Sequence, residues 1–543
     1  MHIIVLLLLL PQLIFGDGRP SGQDPQDEDL DMTETPPTTS TKLTITSATI
    51  PSISSFPALL PTLRNMVGPF PETTRLIPPA ITASDQIGFP PLVPLWTPPP
   101  LLTFPTLPPF TLPTPPPPSA PINITIDPEA LMDVPEIISH WGYPVETHKV
   151  VTTDGYILTL HRIPHGKNET SKSAMKKQKP VIFLQHGLLC TSSIWLLNLP
   201  HQSAGFIFAD HGYDVWFGNM RGNTYSKQHL RMNNGDPQFW KFSWEEMSRH
   251  DLPAMIDYVV KTTKHSQVYY VGHSQGSLTM FAKMSQDDEF SSKIRQVFAM
   301  APVARMSHIK GLFHDLGEVY DQYKMIYQVF GDGEFLTNNI FTKLLTDIMC
   351  DQSVQNPLCE NFIFAVSGPN SNQFNMSRIG IYLAHNPAGT SSRNMLHFAQ
   401  MVHSKRMERF DLGPENNLRF YKSAVPPEYD LRRINSSIHL FYSDSDWLAG
   451  SKDVEGFLIP MLKKTTLKSA TKLKDFNHND FLWGMRARKE IYEKITEFID
   501  MDYRKLKMQD GIRKYFASRP GNLPTTLSEE LIKQLRNVTM DLD

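Results

Sequence analysis

Gln267-Val268-Tyr269-Tyr270-Val271-Gly272-His273-Ser274-Gln275-Gly276-Ser277-Leu278-Thr279-Met280 is the stretch on which the fold turns. Its first five residues are β-branched or aromatic apart from Gln267, and they read as a buried strand. The run after Gly276 is compatible with a helix. Between them stands Gly-x-Ser-x-Gly, the pattern of a nucleophile elbow. A strand-to-helix turn this sharp forces the serine into a strained backbone conformation. Glycines at 272 and 276 let strand and helix approach closely, because neither carries a side chain. The Ser274 hydroxyl then projects from the end of a sheet, facing the backbone N–H groups of the new helix, which favour negative charge.

A serine hydroxyl needs a base to become a nucleophile, and the base needs an acid to orient it. On a fold built around this elbow the chain order is Ser, acid, His. Downstream, Ile438-His439-Leu440-Phe441-Tyr442-Ser443 is strand-like and runs into Asp444-Ser445-Asp446-Trp447-Leu448-Ala449. On spacing alone Asp444, Asp446 and Asp453 are all candidates for the acid. Lys474-Asp475-Phe476-Asn477-His478-Asn479-Asp480-Phe481 follows. Of the 19 histidines in the chain, His478 is singled out by its place after a late strand and its acid.

Three further segments extend the pattern of the elbow: Leu184-Gln185-His186-Gly187-Leu188-Leu189, Gly212-Tyr213-Asp214-Val215-Trp216 and Gly218-Asn219-Met220-Arg221-Gly222-Asn223-Thr224-Tyr225. Together they resemble the acid lipases, the gastric and lysosomal lipase family of α/β-hydrolases. Asp446-Trp447-Leu448-Ala449 and Asn477-His478-Asn479-Asp480-Phe481 resemble that family's Asp and His segments, in order. The resemblance runs from about Val134 to about Ile499. It implies an α/β-hydrolase fold, with a central, mostly parallel sheet and an inserted helical cap or lid. It selects Asp446 from the three acids. It also implies a lipid-ester hydrolase whose oxyanion hole uses the backbone N–H of Leu188 and of Gln275. Chemistry agrees on the kind of donor: the residue after the nucleophile and a loop after an early strand supply such groups.

With 543 residues the chain is long enough for one large domain with appendages. A balance of 52 Lys and Arg against 55 Asp and Glu offers no basic excess for nucleic acid. Residues 1–16 open on an apolar run too short to span a bilayer and read as a signal peptide. No later segment has the roughly 20 unbroken apolar residues of a membrane helix. Residues 17–127 hold 26 of the 45 prolines, between Pro20 and Pro121, together with threonine clusters. Proline removes backbone donors and blocks helix and sheet alike, so this segment reads as a disordered, extended stalk of the kind that carries O-linked sugars. The expected organisation continues with the first part of the hydrolase core at 128–305, a helical cap at 306–435, the rest of the core at 436–500, and a charged extension at 501–543.

Inside the core, turn chemistry at Asp154-Gly155 predicts a hairpin of 146–153 with 156–163. Residues 180–184 and 296–301 read as strands. Residues 243–262 carry Trp244, Met247, Leu252, Met255, Ile256 and Val259 at helical spacing. In 306–435 strand signals are sparse. Leu312, Leu316, Val319, Tyr320, Tyr323, Tyr327 and Phe330 recur at helical spacing instead. An insertion between nucleophile and acid is where this fold carries its caps. A lid with an apolar face suits a water-insoluble substrate.

Three cysteines leave one unpaired. Cys350 and Cys359 bracket a short polar loop within the cap, and a disulfide between them suits a secreted chain and matches the resemblance. Cys190 is expected to be free, a small residue near the oxyanion loop. Cys and His show no metal-ligand spacing, and the chemistry calls for no cofactor. Sequons stand at Asn123, Asn168, Asn375, Asn435 and Asn537. The expected activity is hydrolysis of a carboxylic ester in a neutral lipid, an acylglycerol or sterol ester, at an oil–water or membrane interface. The expected location is the secretory pathway, with the extracellular space or the lysosomal lumen as destination. Two other readings share the fold: a catalytically silent secreted lipid-binding protein, and an esterase for small soluble esters. Oligomeric state leaves no mark in the sequence.

Overall fold

Strands that are apolar on both faces belong in the middle of a parallel sheet, where both faces are covered. Val181-Ile182-Phe183-Leu184-Gln185 and Val268-Tyr269-Tyr270-Val271-Gly272-His273 are such strands, and every residue in them is buried. In the computed structural model, which describes residues 127–170, 178–311, 313–314, 320–336, 363–364 and 366–517, they lie side by side at the centre of a nine-stranded sheet.

The chain enters through helix α1 (Val134–His140), capped by Asp133 and Glu136 in a reciprocal box. A hairpin follows, β1 (Glu146–Val151) with β2 (Tyr156–Ile163), in antiparallel register from Glu146 opposite Arg162 to Val151 opposite Ile157. Gly155, at φ +98°, makes the turn that Asp154-Gly155 predicted. Then come β3 (Val181–Gln185), β4 (Asp214–Gly218), the short β5 (Gln228–His229), helix α2 (Leu252–Thr263), β6 (Val268–His273), helix α3 (Gln275–Met284) and β7 (Ile294–Met300). After the cap the chain returns with β10 (Ser437–Ser443) and β11 (Leu467–Leu473). The order across the sheet is β1-β2-β4-β3-β6-β7-β10-β11, with β5 paired to β2. From β4 to β11 all pairings are parallel; β1, β2 and β5 supply the antiparallel edge. The outer strand β11 alternates between exposed and half-buried positions, as an edge strand should.

One expectation breaks into pieces. Residues 243–262 are not one regular helix. A short turn at Trp244–Glu246 passes into a wide π-type turn at Met247–Asp251, and only then into α2. Pro253 explains this: its ring has no N–H to donate and crowds the carbonyl four residues back, so the preceding turn widens.

Between β7 and β10 the described residues are mainly helical: α4 (Tyr320–Phe330), α5 (Ile379–His385), α6 (Ser392–Ser404) and α7 (Pro414–Tyr421). Two short strands, β8 (Glu334–Phe335) and β9 (Thr390–Ser391), pair antiparallel among them. The face of α4 carrying Tyr320, Tyr323 and Tyr327 turns inward, packing with Leu396, Ala399 and Phe410 in a small core of its own. Leu312, Leu316, Val319, Cys350 and Cys359 lie outside the described residues, as do residues 1–126 and 518–543 with Asn123 and Asn537. The last described helix, α8 (Glu493–Ala517), buries Ile495, Ile499 and Tyr503 and continues across residue 500. Among the described residues no helix is long and apolar enough to cross a membrane.

Candidate active site

The elbow forms where β6 gives way to α3. Ser274 sits at φ +54°, ψ −119°, a conformation that side chains adopt only under constraint. Its N–H donates to the Met300 carbonyl (3.1 Å), and its carbonyl accepts from Ser277 (2.9 Å) and Leu278 (3.2 Å), so the backbone is held on both sides. The two glycines of the motif are required by close approach. A Cβ on Gly276 would lie 2.5 Å from the Gln185 carbonyl oxygen at the end of β3. A Cβ on Gly272 would lie 2.9 Å from the backbone of both Gly276 and Ser277. Gln275 is the first residue of α3, so its N–H has no partner within the helix.

The loop after β3 runs against the serine. A Cβ on Gly187 would meet the Ser274 Cβ at 3.0 Å. His186 holds this loop. Its Nε2 accepts from the Met220 N–H (3.1 Å), so Nδ1 carries the proton and donates to the Gly187 carbonyl (2.8 Å). Burial pushes the pKa of His186 down to about 4, so the ring is neutral at ordinary pH. A trans peptide points its C=O and N–H in opposite directions. Fixing the Gly187 carbonyl therefore fixes the direction of the Leu188 N–H. From the cap, the Ala388 N–H donates to the carbonyl of Leu189 (2.7 Å), a residue itself at φ +60°.

Asp446 and His478 meet in the loops that follow β10 and β11. His478 Nδ1 lies 3.0 Å from Asp446 Oδ1 and 2.9 Å from Oδ2, and both side chains are buried. Oδ1 also accepts from the N–H groups of Leu448 (2.9 Å) and Ala449 (2.8 Å), which orient the carboxylate. Of the three acids left open by spacing, Asp444 instead pairs with Lys472 (2.8 Å). Asp453 accepts from the backbone N–H and Nδ1 of His308, both at 2.8 Å. With Nδ1 facing the carboxylate, Nε2 is the nitrogen of His478 left for other work. Ser274 and His478 line one cavity, walled mainly by apolar side chains that include Leu188, Met306, Phe335, Leu383, Phe398 and Leu448.

Sequence reasoning passed over His273, the second residue of the motif. Its Nε2–H donates to the His478 carbonyl (3.0 Å), and the two rings stand 4.7 Å apart. Burial drives its pKa well below the usual histidine range. Only its place inside Gly-x-Ser-x-Gly pointed to it. Cys190 is free, lines the same cavity, and donates weakly to the Leu188 carbonyl (3.2 Å). Burial pushes its thiol up to about 12, so it stays protonated. Of the described sequons, Asn168 and Asn435 are exposed. Asn375 is half-buried and donates through Nδ2 to Gln202 (3.3 Å).

A serine on a strand-to-helix elbow, with a histidine–carboxylate pair beside it at the ends of parallel strands, defines the α/β-hydrolase class. The model of the alpha/beta hydrolase fold matches residues 180–454, and that of a partial alpha/beta-hydrolase lipase region matches residues 134–199. The chain is 46% identical over 379 residues to lipase lipl-1 of Caenorhabditis elegans, covering 69% of this chain and 93% of that protein. It is 42% identical to the gastric triacylglycerol lipase of Bos taurus, covering 70% of this chain and 94% of the relative. It is also 42% identical to the human lysosomal acid lipase/cholesteryl ester hydrolase, at 69% and 92% coverage. The chain belongs to the lipase family of α/β-hydrolases, together with the gastric and lysosomal acid lipases. It is an ester-hydrolysing enzyme.

Proposed function

We propose that the chain hydrolyses the carboxylic esters of neutral lipids, acylglycerols or sterol esters, with Ser274 as nucleophile, His478 as general base and acid, and Asp446 as the orienting carboxylate. The observation that carries this reading is that His478, held by Asp446 at 2.9 Å, lines one apolar cavity together with Ser274. His478 Nε2 takes the Ser274 proton as Oγ attacks the carbonyl carbon. Asp446 keeps the proton on Nδ1 and stabilises the imidazolium that forms. Negative charge on the carbonyl oxygen is met by the N–H groups of Leu188 and Gln275. Collapse of the adduct breaks the bond to the alkoxy oxygen, and His478 passes its proton to the leaving alcohol. Water, deprotonated by the same nitrogen, then attacks the acyl-enzyme and releases the fatty acid. The apolar wall accepts an acyl chain, whose burial is favourable at about 25 cal/mol per Å².

The choice of neutral lipid is supported by the relatives whose names specify triacylglycerol and cholesteryl esters. The apolar leader at 1–16 and the gastric and lysosomal relatives support the secretory pathway, with the extracellular space or the lysosomal lumen as destination. Labelling by a fluorophosphonate, mapped by mass spectrometry, should fall on Ser274. Ser274→Ala should lose both labelling and turnover of a lipid-ester panel while its melting temperature stays near the parent value. Turnover that survives in a folded Ser274→Ala protein removes Ser274 as nucleophile. Labelling at Ser274 without turnover of any emulsified ester favours the soluble-esterase or lipid-binding readings.

A further inference from the structure

The loops carrying Asp446 and His478 leave the sheet from neighbouring strands, whose last registered pair is Ser443 opposite Leu473. Beyond that pair a single carbonyl ties them together. Ser367, in the insertion between β7 and β10, accepts through its backbone oxygen from the Trp447 N–H (3.3 Å) and from the His478 N–H (3.0 Å). One donor is the neighbour of Asp446 and the other is His478 itself.

That oxygen is free to accept because Ser367 ends a helical turn. The Gly368 N–H closes the turn onto the Phe364 carbonyl (3.0 Å), and the carbonyls at a helix end have no partner within the helix. Gly368 follows at φ +124°, a region that side chains rarely adopt. It is wedged between the two loops: a Cβ there would lie 2.2 Å from the Ser445 carbonyl oxygen and 3.3 Å from the Asn477 Cβ. The Asn477 side chain adds a further tie, donating to the Pro369 carbonyl (3.2 Å).

We propose that the Ser367 carbonyl and Gly368 form a positioning strap, by which the cap insertion sets the placement of Asp446 relative to His478. The proposal rests on the catalytic reading above. The strap touches neither substrate nor reacting atoms; it acts through the backbones of the acid and base loops.

Gly368→Ala tests it in the full chain. Contacts of a Cβ below 3.0 Å are essentially never seen, so residue 368 and the Ser445 carbonyl have to part by at least 0.8 Å, and Asp446 is the next residue. A displacement of that size in a catalytic group costs about tenfold to a hundredfold. The expected result is a kcat on a soluble ester lowered by that factor per folded molecule, with KM within about twofold of the parent and fluorophosphonate labelling slowed in proportion. Gly413→Ala is the matched control. Gly413 is also in the insertion, at φ +85°, but nothing lies within 4 Å of its would-be Cβ, so positive-φ strain without a clash should leave kcat at the parent value. Parent kcat and labelling rate in folded Gly368→Ala would overturn the proposal. So would an equal loss in the Gly413 control.

A second measurement does not depend on the variant folding. Hydrogen exchange on the parent protein should show the Trp447 and His478 amides protected, and exchange at the rate of an open loop would overturn the strap. Failure of the parent to label at Ser274 is distinct from both: it removes the catalytic reading, and the positioning role with it.

Discussion

Replacing Asp446 with Asn changes one atom and should nearly stop the enzyme. In the parent, Oδ1 accepts from Leu448 and Ala449 at 2.9 and 2.8 Å, and Oδ2 faces His478 Nδ1 at 2.9 Å. An asparagine has one oxygen to place. Set in the Oδ1 position, it keeps both backbone hydrogen bonds and puts its NH2 against Nδ1. That nitrogen must then accept, the imidazole proton moves to Nε2, and Nε2 can no longer take the Ser274 proton. The alternative rotamer preserves the productive tautomer but turns the NH2 onto two buried N–H groups. Leaving such groups unsatisfied costs about 1–3 kcal/mol each, so the productive form is disfavoured by about 2–6 kcal/mol. At about 1.36 kcal/mol per tenfold, kcat should fall by between about thirtyfold and about 25,000-fold. The upper end agrees with the loss of about 10⁴ for the same exchange in a serine protease of another fold. The assay is kcat on a soluble ester, with folding checked by the melting temperature. Asp444→Asn is the control: the Asp444 side chain is largely exposed and pairs with Lys472, and contacts of this kind are worth at most about 1 kcal/mol. A folded Asp446→Asn enzyme within tenfold of the parent, or an Asp444→Asn enzyme as damaged as Asp446→Asn, would refute the assignment.

Two further predictions concern stability. Arg221 is 1% exposed and bridges Asp251 at 2.7 Å and Asp154 at 2.6 Å. Arg221→Met strands the wholly buried Asp251 carboxylate and should cost about 3–5 kcal/mol, read from the denaturant midpoint and slope; a loss under about 1 kcal/mol would sink the argument. Asp480, two residues after His478, has its pKa pushed up to about 7 by burial, from 3.8. Between those values the folded state binds the extra proton, so stability is greatest at acid pH and falls as pH rises towards about 7. Asp480→Asn should therefore flatten the change in melting temperature between pH 5 and pH 8 and gain on the order of 2–4 kcal/mol relative to the parent at the upper end. An unchanged pH profile in that variant would place the titration elsewhere.

What could be read in the sequence was what side chains and local geometry impose. The elbow is legible because strand and helix meet so closely there that a Cβ at 272 or 276 would strike backbone atoms, which restricts those positions to glycine. The central strands are legible because burial on both faces demands unbroken apolar runs. The hairpin is legible because Gly155 permits its turn. The choice of acid was not legible from spacing. Asp444, Asp446 and Asp453 lie within ten residues, and what separates them is a turn in which the Leu448 and Ala449 amides hold one oxygen of Asp446. Least legible is the share of the site that works through backbone. The Ser367 carbonyl accepts from Trp447 and His478 and the Ala388 N–H donates to Leu189, yet any residue with an ordinary peptide offers a carbonyl, and any except proline an N–H. Gly368 is one of 29 glycines in the chain, and only its contact with Ser445 gives it meaning. The insertion between β7 and β10 thus has parts of different visibility. The apolar spacing at Tyr320, Tyr323 and Tyr327 marks a helix face that packs in a small core of its own, whereas the insertion's side chains that wall the cavity, Phe335, Leu383 and Phe398 among them, lie outside that pattern. Its main chain, which hydrogen-bonds to the loops of Asp446, His478 and Leu189, appears only once the chain is folded.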